Sequence, residues 1–178
     1  MNGDIFLDPE KILNEISLKD DMIAADFGCG SGGFTIPLAK KLEKGLVYAI
    51  DVQKEPLSAL KNRSLDYNLL NLKFIIGDIE KEKGSRLNDS SVDLILIINT
   101  LFQSDKKDAI LKEAKRVLKN NGEVLIIDWI PNTQLGPKQG TISLEELKKI
   151  GKEEIGFNIE KEFEAGKYHY GIIFKKTA

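Results

Sequence analysis

The residues best suited to bind a ligand are four closely spaced glycines, Gly28, Gly30, Gly32 and Gly33, together with Asp26 just before them. Gly28, Gly30 and Gly33 match the pattern GxGxxG, which lets a backbone turn between a strand and a helix approach a ligand closely. The pattern alone also fits a tight turn without a ligand. A dinucleotide would bring its pyrophosphate to this turn, where Asp26 would repel it. Asp26 instead favours a ligand with positive charge near the glycines, or it is a buried carboxylate that binds loop amides.

Two further aspartates follow the next two apolar segments of the chain. Asp51 ends the segment LVYAID, where a carboxylate can accept hydrogen bonds from both hydroxyls of a ribose. Asp78 ends the segment LKFIIGD, where a carboxylate can accept from the exocyclic amine of adenine. Taken alone, each aspartate also fits a loop, turn or helix-capping role. Together with Asp26, they predict an adenosine ligand that carries cationic groups and no phosphate, as S-adenosylmethionine does.

Short apolar segments alternate with amphipathic segments, which predicts a parallel sheet with helices on both faces. Strands are predicted at DMIAADF, LVYAIDV, LKFIIGD, VDLILIIN and GEVLIIDW, and helices at 8–16, at 32–44, from Pro56, at KKDAILKEAKRVLK up to Asn121-Gly122, and from a Ser143–Glu146 capping box. The last two segments meet at Gly166-Lys167, which predicts an antiparallel hairpin. Because ligands bind outside the carboxyl ends of parallel strands, the glycines, Asp51, Asp78 and Asn99 should meet at one edge.

The composition is that of an ordinary globular domain, with 178 residues, 42% hydrophobic residues, 30% charged residues and a net charge of -2. This charge argues against binding nucleic acid through bulk positive charge. The single cysteine excludes an internal disulfide and a cysteine-built metal cluster, and the single histidine restricts metal chemistry further, so no metal is predicted. There is no apolar run of about 18 residues and no secretory signal, so we expect a cytoplasmic protein. A homodimer is left open.

The segment DFGCGSG resembles the first motif of the class I S-adenosylmethionine-dependent methyltransferases. VYAIDV, FIIGDIE, VDLILIIN and GEVLIIDW are similar to the later motifs of that family, in the same order. The resemblance implies an α/β, Rossmann-like, seven-stranded sheet of order 3-2-1-4-5-7-6 with strand 7 antiparallel and helices on both faces. It implies one domain over residues 1–178, with residues 1–20 as a short N-terminal helical cap. The general appearance is that of the small enzymes of ubiquinone and menaquinone biosynthesis.

The resemblance also implies a set of residues that bind S-adenosylmethionine and its product S-adenosylhomocysteine. They are Asp26, Gly28, Cys29 and Gly30 at the methionine end, Asp51, Val52 and Gln53 at the adenosine, Asp78 and Ile79 at the adenine, and Asn99 and Thr100 near the sulfonium. Two other classes of protein fit part of the pattern. An NAD(P)-binding, dehydrogenase-like protein would use GxGxxG and Asp51, and a non-catalytic module would bind S-adenosylmethionine without turnover. Arsenite methyltransferases use several cysteines, so their chemistry is not expected here.

A loop and a hairpin, rather than a motif, mark the side of the acceptor, which we expect to be a small molecule. Asp128 and Trp129 end the fifth strand, so they and the loop after them are predicted to overhang the acceptor pocket. Trp129 also fits a core or edge aromatic. His169 is the candidate general base, because it follows the hairpin turn and is the side chain that ordinarily titrates near neutrality. If His169 is merely packed, Tyr168 and Tyr170 would shape the acceptor site from the opposite face.

Overall fold

The computed structural model describes residues 7–177, in which seven strands form one sheet and helices pack on both of its faces. The strands are β1 (Ile23–Phe27), β2 (Leu46–Asp51), β3 (Leu72–Ile76), β4 (Val92–Ile98), β5 (Leu118–Trp129), β6 (Asn158–Gly166) and β7 (His169–Lys175). They lie in the order β3-β2-β1-β4-β5-β7-β6. Strands β1 to β5 pair in parallel, and β7 runs antiparallel to both β5 and β6. The predicted fold class, strand order and final hairpin are therefore confirmed.

The helices occupy the connections between strands, and two of them begin where the sequence predicts. They are α1 (Pro9–Leu13), α2 (Thr35–Lys41), α3 (Lys54–Asp66), α4 (Lys107–Val117) and α5 (Leu144–Lys149), with a 3₁₀ turn at Leu101–Gln103 and a π-helical turn at Ile150–Glu154. Asp8 caps α1 by accepting from the backbone of Glu10, and Pro9 takes the first helical position. Ser143 and Glu146 form the predicted capping box of α5.

Other helix ends differ from the prediction, and for α4 the reason is that hydrogen bonds of the sheet compete with the helix. The helices predicted at 8–16 and 32–44 are shorter, and span Pro9–Leu13 and Thr35–Lys41. Helix α4 was expected to continue to Asn121-Gly122, but it ends at Val117. The next residue, Leu118, already pairs with Val92 of β4, and Asn121 donates its N–H to the carbonyl of Lys176. Residues 118–122 are thereby the first part of β5, an interior strand, which a local helical pattern does not reveal.

The described part of the N-terminal cap begins at Leu7. Within it, Ile12 and Leu13 of α1 pack in the same hydrophobic cluster as Leu38 and Leu42 around α2. Residues 1–6 lie outside the described part, so the single domain over residues 1–178 and the cap over residues 1–20 stay predictions. Among residues 7–177, no helix combines the length and the apolar character that crossing a membrane requires.

Alternation along the strands sends side chains to two separate cores. On one face, Phe27 of β1 and Ile97 of β4 pack with α4 and α5. On the other face, Leu96 of β4 and Ala24 of β1 pack with α1 and α2, while α3 covers the neighbouring Ala49. We call these the α4–α5 face and the α1–α3 face. The same alternation decides which polar residues at the carboxyl edge share a face.

A buried ion pair braces the segment after β3 against α4. The side chain of Glu113 is 2% exposed and forms an ion pair with Arg116 at 2.7 Å. Its oxygens also accept from the backbone N–H groups of Lys83 and Ser85, at 3.1 and 3.0 Å, and from the Ser85 hydroxyl. Burial pushes the pKa of Glu113 upward, but the hydrogen bonds from Arg116 and Ser85 outweigh it and hold the pKa below its usual value. One carboxylate thus supports a whole turn of irregular chain.

Removing this carboxylate should destabilise the fold strongly. We expect Glu113→Ala to lower the free energy of unfolding by about 3–5 kcal/mol, because it leaves the buried Ser85 N–H and the Lys83 N–H without their acceptor and Arg116 with Asp89 as its remaining ion-pair partner. Urea unfolding followed by circular dichroism measures the change. The matched control is Lys112→Ala, which breaks the exposed Asp108–Lys112 pair of the same helix and should leave stability nearly unchanged. Equal effects of the two substitutions would contradict the bracing role of Glu113.

Candidate active site

The glycine loop between β1 and α2 has its shape because the sheet binds its backbone. The N–H groups of Gly28 and Cys29 donate to the carbonyl of Ile50 in β2, at 2.8 and 3.1 Å. Gly30 and Gly32 both have positive φ angles, of 52° and 88°, which favour glycine. A Cβ on Gly32 would collide with Leu60, whereas a Cβ on Gly30 would meet nothing within 4 Å. Gly32 is therefore required by packing, and Gly30 borders open space.

Asp51 connects this loop to the start of α3. One of its oxygens accepts from the N–H of Gly30 at 2.9 Å, and the other accepts from the N–H of Gln53 at 2.9 Å. Asp51 is half-buried. A carboxylate has about four acceptor positions, so both oxygens retain capacity for further donors. The residue can both hold the loop and bind a ligand.

Asp78 lies at the end of β3 and is held by its own turn. Its oxygens accept from the N–H of Glu80 at 3.1 Å and from the Lys81 ammonium at 2.9 Å. The hydrogen bond from Lys81 lowers the pKa of Asp78, so the side chain is an ionised acceptor at neutral pH. The backbone N–H of Asp78 donates to the carbonyl of Gly84, which links this turn to the chain braced by Glu113.

A groove of about 330 Å³ runs along the carboxyl edge beside these residues, within the range of small-molecule sites. Its lining includes eight of the predicted cofactor-binding residues: Gly28, Gly30, Asp51, Val52, Gln53, Asp78, Ile79 and Thr100. A second cavity of about 240 Å³ is lined by the other three, Asp26, Cys29 and Asn99. Gly28 and Gly30 line both, so the two cavities adjoin. The structure brings the whole predicted set together, and the binding role of these residues stays a prediction.

Several groove residues were missed by the sequence reasoning. They are Ile50, Pro56, Gly77, Glu80, Gln103, Ser104 and Ile110. Gln103 and Ser104 closely follow the end of β4. This position in the sequence could have indicated that they line the groove. Gln103 donates through its side-chain amide to the carbonyl of Asn99 at 2.8 Å, which holds the 3₁₀ turn against the end of β4. Ile110 comes from α4 and had no local signal, because only helix packing brings it to the groove.

Asp26 is the most unusual charge of the site. It is 3% exposed, and one oxygen accepts from the Thr35 hydroxyl at 2.6 Å. Burial raises the pKa of Asp26 to about 6, although the Thr35 hydrogen bond opposes the rise and the nearby charge of Asp51 adds to it. Among residues 7–177, Asp26 has no ion-pair partner and accepts from no loop amide. It is therefore a carboxylate placed beside the glycines without a compensating cation in the described part of the chain.

Cys29 lines the same cavity, but its thiol is not poised for reaction. The side chain is 7% exposed, and burial raises the pKa of the thiol well above its usual value. Its sulfur contacts the carbonyl of Gly30 at 3.6 Å. A neutral, buried thiol of this kind packs as a small apolar group.

Asp128 does not overhang the acceptor pocket, so that prediction is wrong. The residue is fully buried on the α4–α5 face, because it alternates in step with Val124 and Ile126 of β5. Its oxygens accept from the N–H groups of Phe102 and Trp129, at 3.1 and 2.8 Å. Burial raises the pKa of Asp128 to about 6. Asp128 thereby holds the 3₁₀ turn that carries Gln103, a residue that lines the groove.

His169 lies at the predicted edge but does not line either cavity. It is paired with Trp129 across β5 and β7, and the two ring centroids are 4.0 Å apart with a tilt of 42°. The imidazole is 3% exposed, and burial lowers its pKa to about 4. The expectation that His169 titrates near neutrality is therefore wrong. Tyr170 packs in the opposite core and donates to the carbonyl of Ile142 at 3.0 Å, so it does not shape an acceptor pocket either.

Several known proteins are similar to this chain in sequence or in fold. A family model described as a methyltransferase domain matches residues 18–167. The crystal structure of an S-adenosylmethionine-dependent methyltransferase from Aquifex aeolicus is 32% identical, with a TM-score of 0.83, and covers 95% of this chain and 89% of that one. The [4+2]-cyclase SpnF has a TM-score of 0.82 over 96% of this chain and 80% of its own, but at 14% identity this likeness shows the fold alone.

Curated relatives are longer than this chain. An arsenite methyltransferase from Aquipseudomonas alcaligenes is 35% identical over 125 residues, which are 67% of this chain and 36% of that protein. A ubiquinone/menaquinone biosynthesis C-methyltransferase from Laribacter hongkongensis is 30% identical over 145 residues, which are 79% of this chain and 57% of that protein. The family model and the Aquifex structure match most of the chain. The chain therefore belongs to the class I S-adenosylmethionine-dependent methyltransferases.

Proposed function

We propose that this protein transfers a methyl group from S-adenosylmethionine to a small-molecule acceptor. The observation that carries the proposal is a row of three carboxylates along two adjoining cavities, with Asp78 and Asp51 in one and Asp26 in the other. An adenine amine, two ribose hydroxyls and a cationic methionine end offer donors in the same order. The small-molecule acceptor, rather than nucleic acid, agrees with the net charge of -2. The cytoplasmic location and a homodimer stay predictions.

The cavity beside the glycine loop fits the methionine end of this cofactor better than it fits a phosphate. Asp26 lines that cavity without an ion-pair partner among residues 7–177, so a phosphate there would face a negative charge. An ammonium and a sulfonium would instead stabilise the ionised form of Asp26. Gly30 borders open space on the same side, where a backbone without a side chain leaves room for the ligand. These features favour S-adenosylmethionine over NAD(P).

When bound, S-adenosylmethionine supplies an electrophilic methyl group on a sulfonium. The chain's own contribution is then mainly to hold two reactants in line, which can lower the barrier by several kcal/mol without acid–base chemistry. His169 is the general-base candidate of the proposal. With a pKa of about 4, the His169 imidazole stays neutral at pH 7. It can accept a hydrogen bond from the molecule that receives the methyl group, but it is a weak base for removing a proton from that molecule. Positioning therefore contributes more than proton removal in this proposal.

Arsenite is not the acceptor that we propose, although an arsenite methyltransferase is among the similar proteins. Cys29 is the only cysteine of the sequence, and its thiol is buried and neutral. A reaction that needs several thiolates has no second thiol here. The likeness to that relative is consistent with a shared cofactor domain.

Calorimetry and a turnover assay together test the proposed function. S-adenosylmethionine and S-adenosylhomocysteine should bind, and NAD should not. Labelled S-adenosylmethionine incubated with a metabolite extract should then yield a labelled small molecule. Binding of NAD alone would support the dehydrogenase-like alternative. Cofactor binding without transfer to any extract would support a non-catalytic module, or chemistry of another kind such as the cyclase of similar fold performs.

Asp51→Ala should weaken S-adenosylmethionine binding by about 1.5–3 kcal/mol, because a charged acceptor for two ribose hydroxyls is lost. The Gly30 N–H also loses its acceptor, so part of the effect reflects a less ordered loop. Isothermal titration calorimetry measures the affinity, and Asp66→Ala, at the far end of α3, is the control. An unchanged affinity would remove Asp51 from the binding site.

Two glycine substitutions should separate binding from folding. Gly30→Val should abolish S-adenosylmethionine binding, since its side chain occupies the open space, while positive φ costs about 1–2 kcal/mol of stability. Gly32→Ala should destabilise the protein further by overpacking against Leu60, by about 1–3 kcal/mol beyond a similar φ strain. Thermal unfolding and calorimetry of both variants provide the comparison. A folded Gly30→Val variant that binds normally would refute this placement of the ligand.

Asp26→Asn should show a trade-off between stability and binding. The pKa of Asp26 is raised in the folded state, so the folded protein holds more protons than the unfolded chain between pH 4 and 6. Its contribution to stability therefore falls as the pH rises through this window. The unfolding free energy of the variant, minus that of the wild type, should increase by about 1–3 kcal/mol between pH 4 and 7.

The same substitution should weaken S-adenosylmethionine binding at pH 7.5 about tenfold or more, a loss of about 1.4 kcal/mol. A cationic ligand favours the ionised carboxylate, so wild-type affinity should rise as the pH increases through about 6. The variant should lack this rise. Calorimetry at several pH values tests it, and the same pH profile in both proteins would show that Asp26 does not face the cationic end.

A further inference from the structure

Buried polar atoms without partners are concentrated around the end of β5. Both ring nitrogens of His169 lack a hydrogen-bond partner among residues 7–177, as do the side-chain oxygens of Asn99 and Thr133. Buried polar atoms nearly always have partners in native proteins, and a neutral imidazole offers one donor and one acceptor. These unpaired atoms therefore need an explanation that packing alone does not provide.

Two of the three residues lie beside Trp129, and Asn99 lies at the same end of β5. His169 faces Trp129 across the β5–β7 pairing, with the rings 4.0 Å apart. Asn99 donates its backbone N–H to Ile127 at 2.8 Å, which places it beside the same end of β5. A Cβ on Gly136 would collide with the Thr133 hydroxyl and lie 3.3 Å from the Trp129 ring, so the loop folds back over the indole. We call Asn99, Trp129, Thr133 and His169 the β5-end cluster.

The β5-end cluster adjoins the methionine end of the proposed cofactor site. Asn99 belongs to the cluster and also lines the cavity that contains Asp26. Ile98 and Phe34 line that cavity too and belong to the apolar packing of the α1–α3 face, on which Trp129 and His169 also lie by alternation. In the proposed function Asn99 lies near the sulfonium, so it connects the methyl-donor site with the β5-end cluster.

We propose that the β5-end cluster is the acceptor subsite and that it recognises a flat, uncharged molecule through a hydroxyl group. This inference rests on the proposed function, since it needs a methyl donor beside Asn99. The Trp129 indole provides a flat apolar wall, and the unpaired atoms of His169, Asn99 and Thr133 provide both donors and acceptors for a hydroxyl. Burial keeps His169 neutral at pH 7, so the cluster itself carries no charge to balance an ionised acceptor.

Entry to the cluster requires the loop over Trp129 to shift, and few hydrogen bonds oppose this. Between 131 and 139, the described backbone makes a single internal hydrogen bond, from the N–H of Gly136 to the carbonyl of Thr133 at 3.4 Å. The loop is held at its ends, where Ile130 donates to Tyr168 and Gly140 packs against the carbonyl of Phe102. Leu135 in the same loop is 56% exposed, an apolar side chain available to cover a bound molecule.

Single-copy residues make this subsite directly observable. The sequence has one histidine and one tryptophan, and both belong to the cluster. In protein saturated with S-adenosylhomocysteine, p-cresol should shift the imidazole ¹⁵N resonances of His169 and change the fluorescence of Trp129. Toluene, which lacks the hydroxyl, should bind at least about tenfold more weakly because it leaves the polar atoms unpaired. Equal affinities, or binding that leaves the His169 resonances unmoved, would overturn the proposal.

His169→Phe tests the hydrogen-bonding role of His169 without creating a cavity. The variant should keep or increase its melting temperature, because an unpaired polar ring is replaced by an apolar ring, and it should bind p-cresol and toluene within about twofold of each other. Thr133→Val provides a second variant outside the sheet, with the same expected loss of preference. Tyr168→Phe is the control, since Tyr168 neighbours His169 in the chain but lies outside the cluster. A retained preference in both cluster variants would contradict the assignment.

The turnover assay separates this proposal from the proposed function. With an acceptor identified from the metabolite extract, His169→Phe should raise the acceptor KM about tenfold or more while S-adenosylmethionine affinity stays within about twofold. At saturating S-adenosylmethionine, the wild-type acceptor KM should rise as the pH approaches 4, where the imidazole protonates, and the variant should lack that rise. Unchanged KM and pH profile, with normal methyl transfer, would overturn the acceptor subsite and leave the proposed function intact. Absence of cofactor binding would overturn both.

Discussion

The carboxyl end of β2 binds the glycine loop, and the rest of the site depends on this contact. The Ile50 carbonyl accepts the N–H groups of Gly28 and Cys29, and the Asp51 carboxylate accepts that of Gly30. Parallel pairing of β1 with β2 makes these bonds possible, because it brings the two strand ends to the same edge. The loop therefore has its shape before a ligand arrives, and less conformational freedom remains to be lost on binding.

The two faces of the sheet separate polar groups that support the fold from polar groups that remain available. On the α4–α5 face, Glu113 and Asp128 have their oxygens occupied by backbone N–H groups of nearby turns. On the α1–α3 face, Asp26 has no counter-ion and His169 has no hydrogen-bond partner within residues 7–177. The satisfied groups hold the groove walls in place. The unsatisfied groups reduce stability and are therefore the best indicators of ligand contact.

Buried Asp26 and buried His169 affect stability in opposite directions over the same range of pH. The raised pKa of Asp26 makes stability fall as the pH rises from 4 to 6, whereas the lowered pKa of His169 makes it rise between about 4 and 6.5. Both shifts come from desolvation of a side chain at the carboxyl edge. A cationic cofactor would favour ionised Asp26, and an uncharged acceptor would leave His169 neutral. Each ligand would thus be compatible with the charge state of the buried residue beside it.

Much of the fold and of the cofactor site could be predicted from the sequence, because both follow from local order along the chain. Alternating strands and helices put Asp51, Asp78 and Asn99 at strand ends, and parallel pairing brings strand ends together whatever the packing details. The terminal hairpin also follows locally, from Gly166-Lys167 between two strand-forming segments. The structure agrees with these predictions because they need only the direction and period of each segment.

Only the tertiary structure decided how exposed these groups are and which contacts they make. The pKa of His169 depends on the elements that cover it, so its usual value near neutrality did not apply. Asp128 was assigned to the right strand end, but its burial depends on the 3₁₀ turn after β4, whose Phe102 N–H it accepts. Helix α4 itself ends at Val117, where the chain joins the sheet through Leu118, paired with Val92, and Asn121, bound to Lys176. Local sequence sets position and face, whereas desolvation and long-range hydrogen bonds arise only when distant segments pack together.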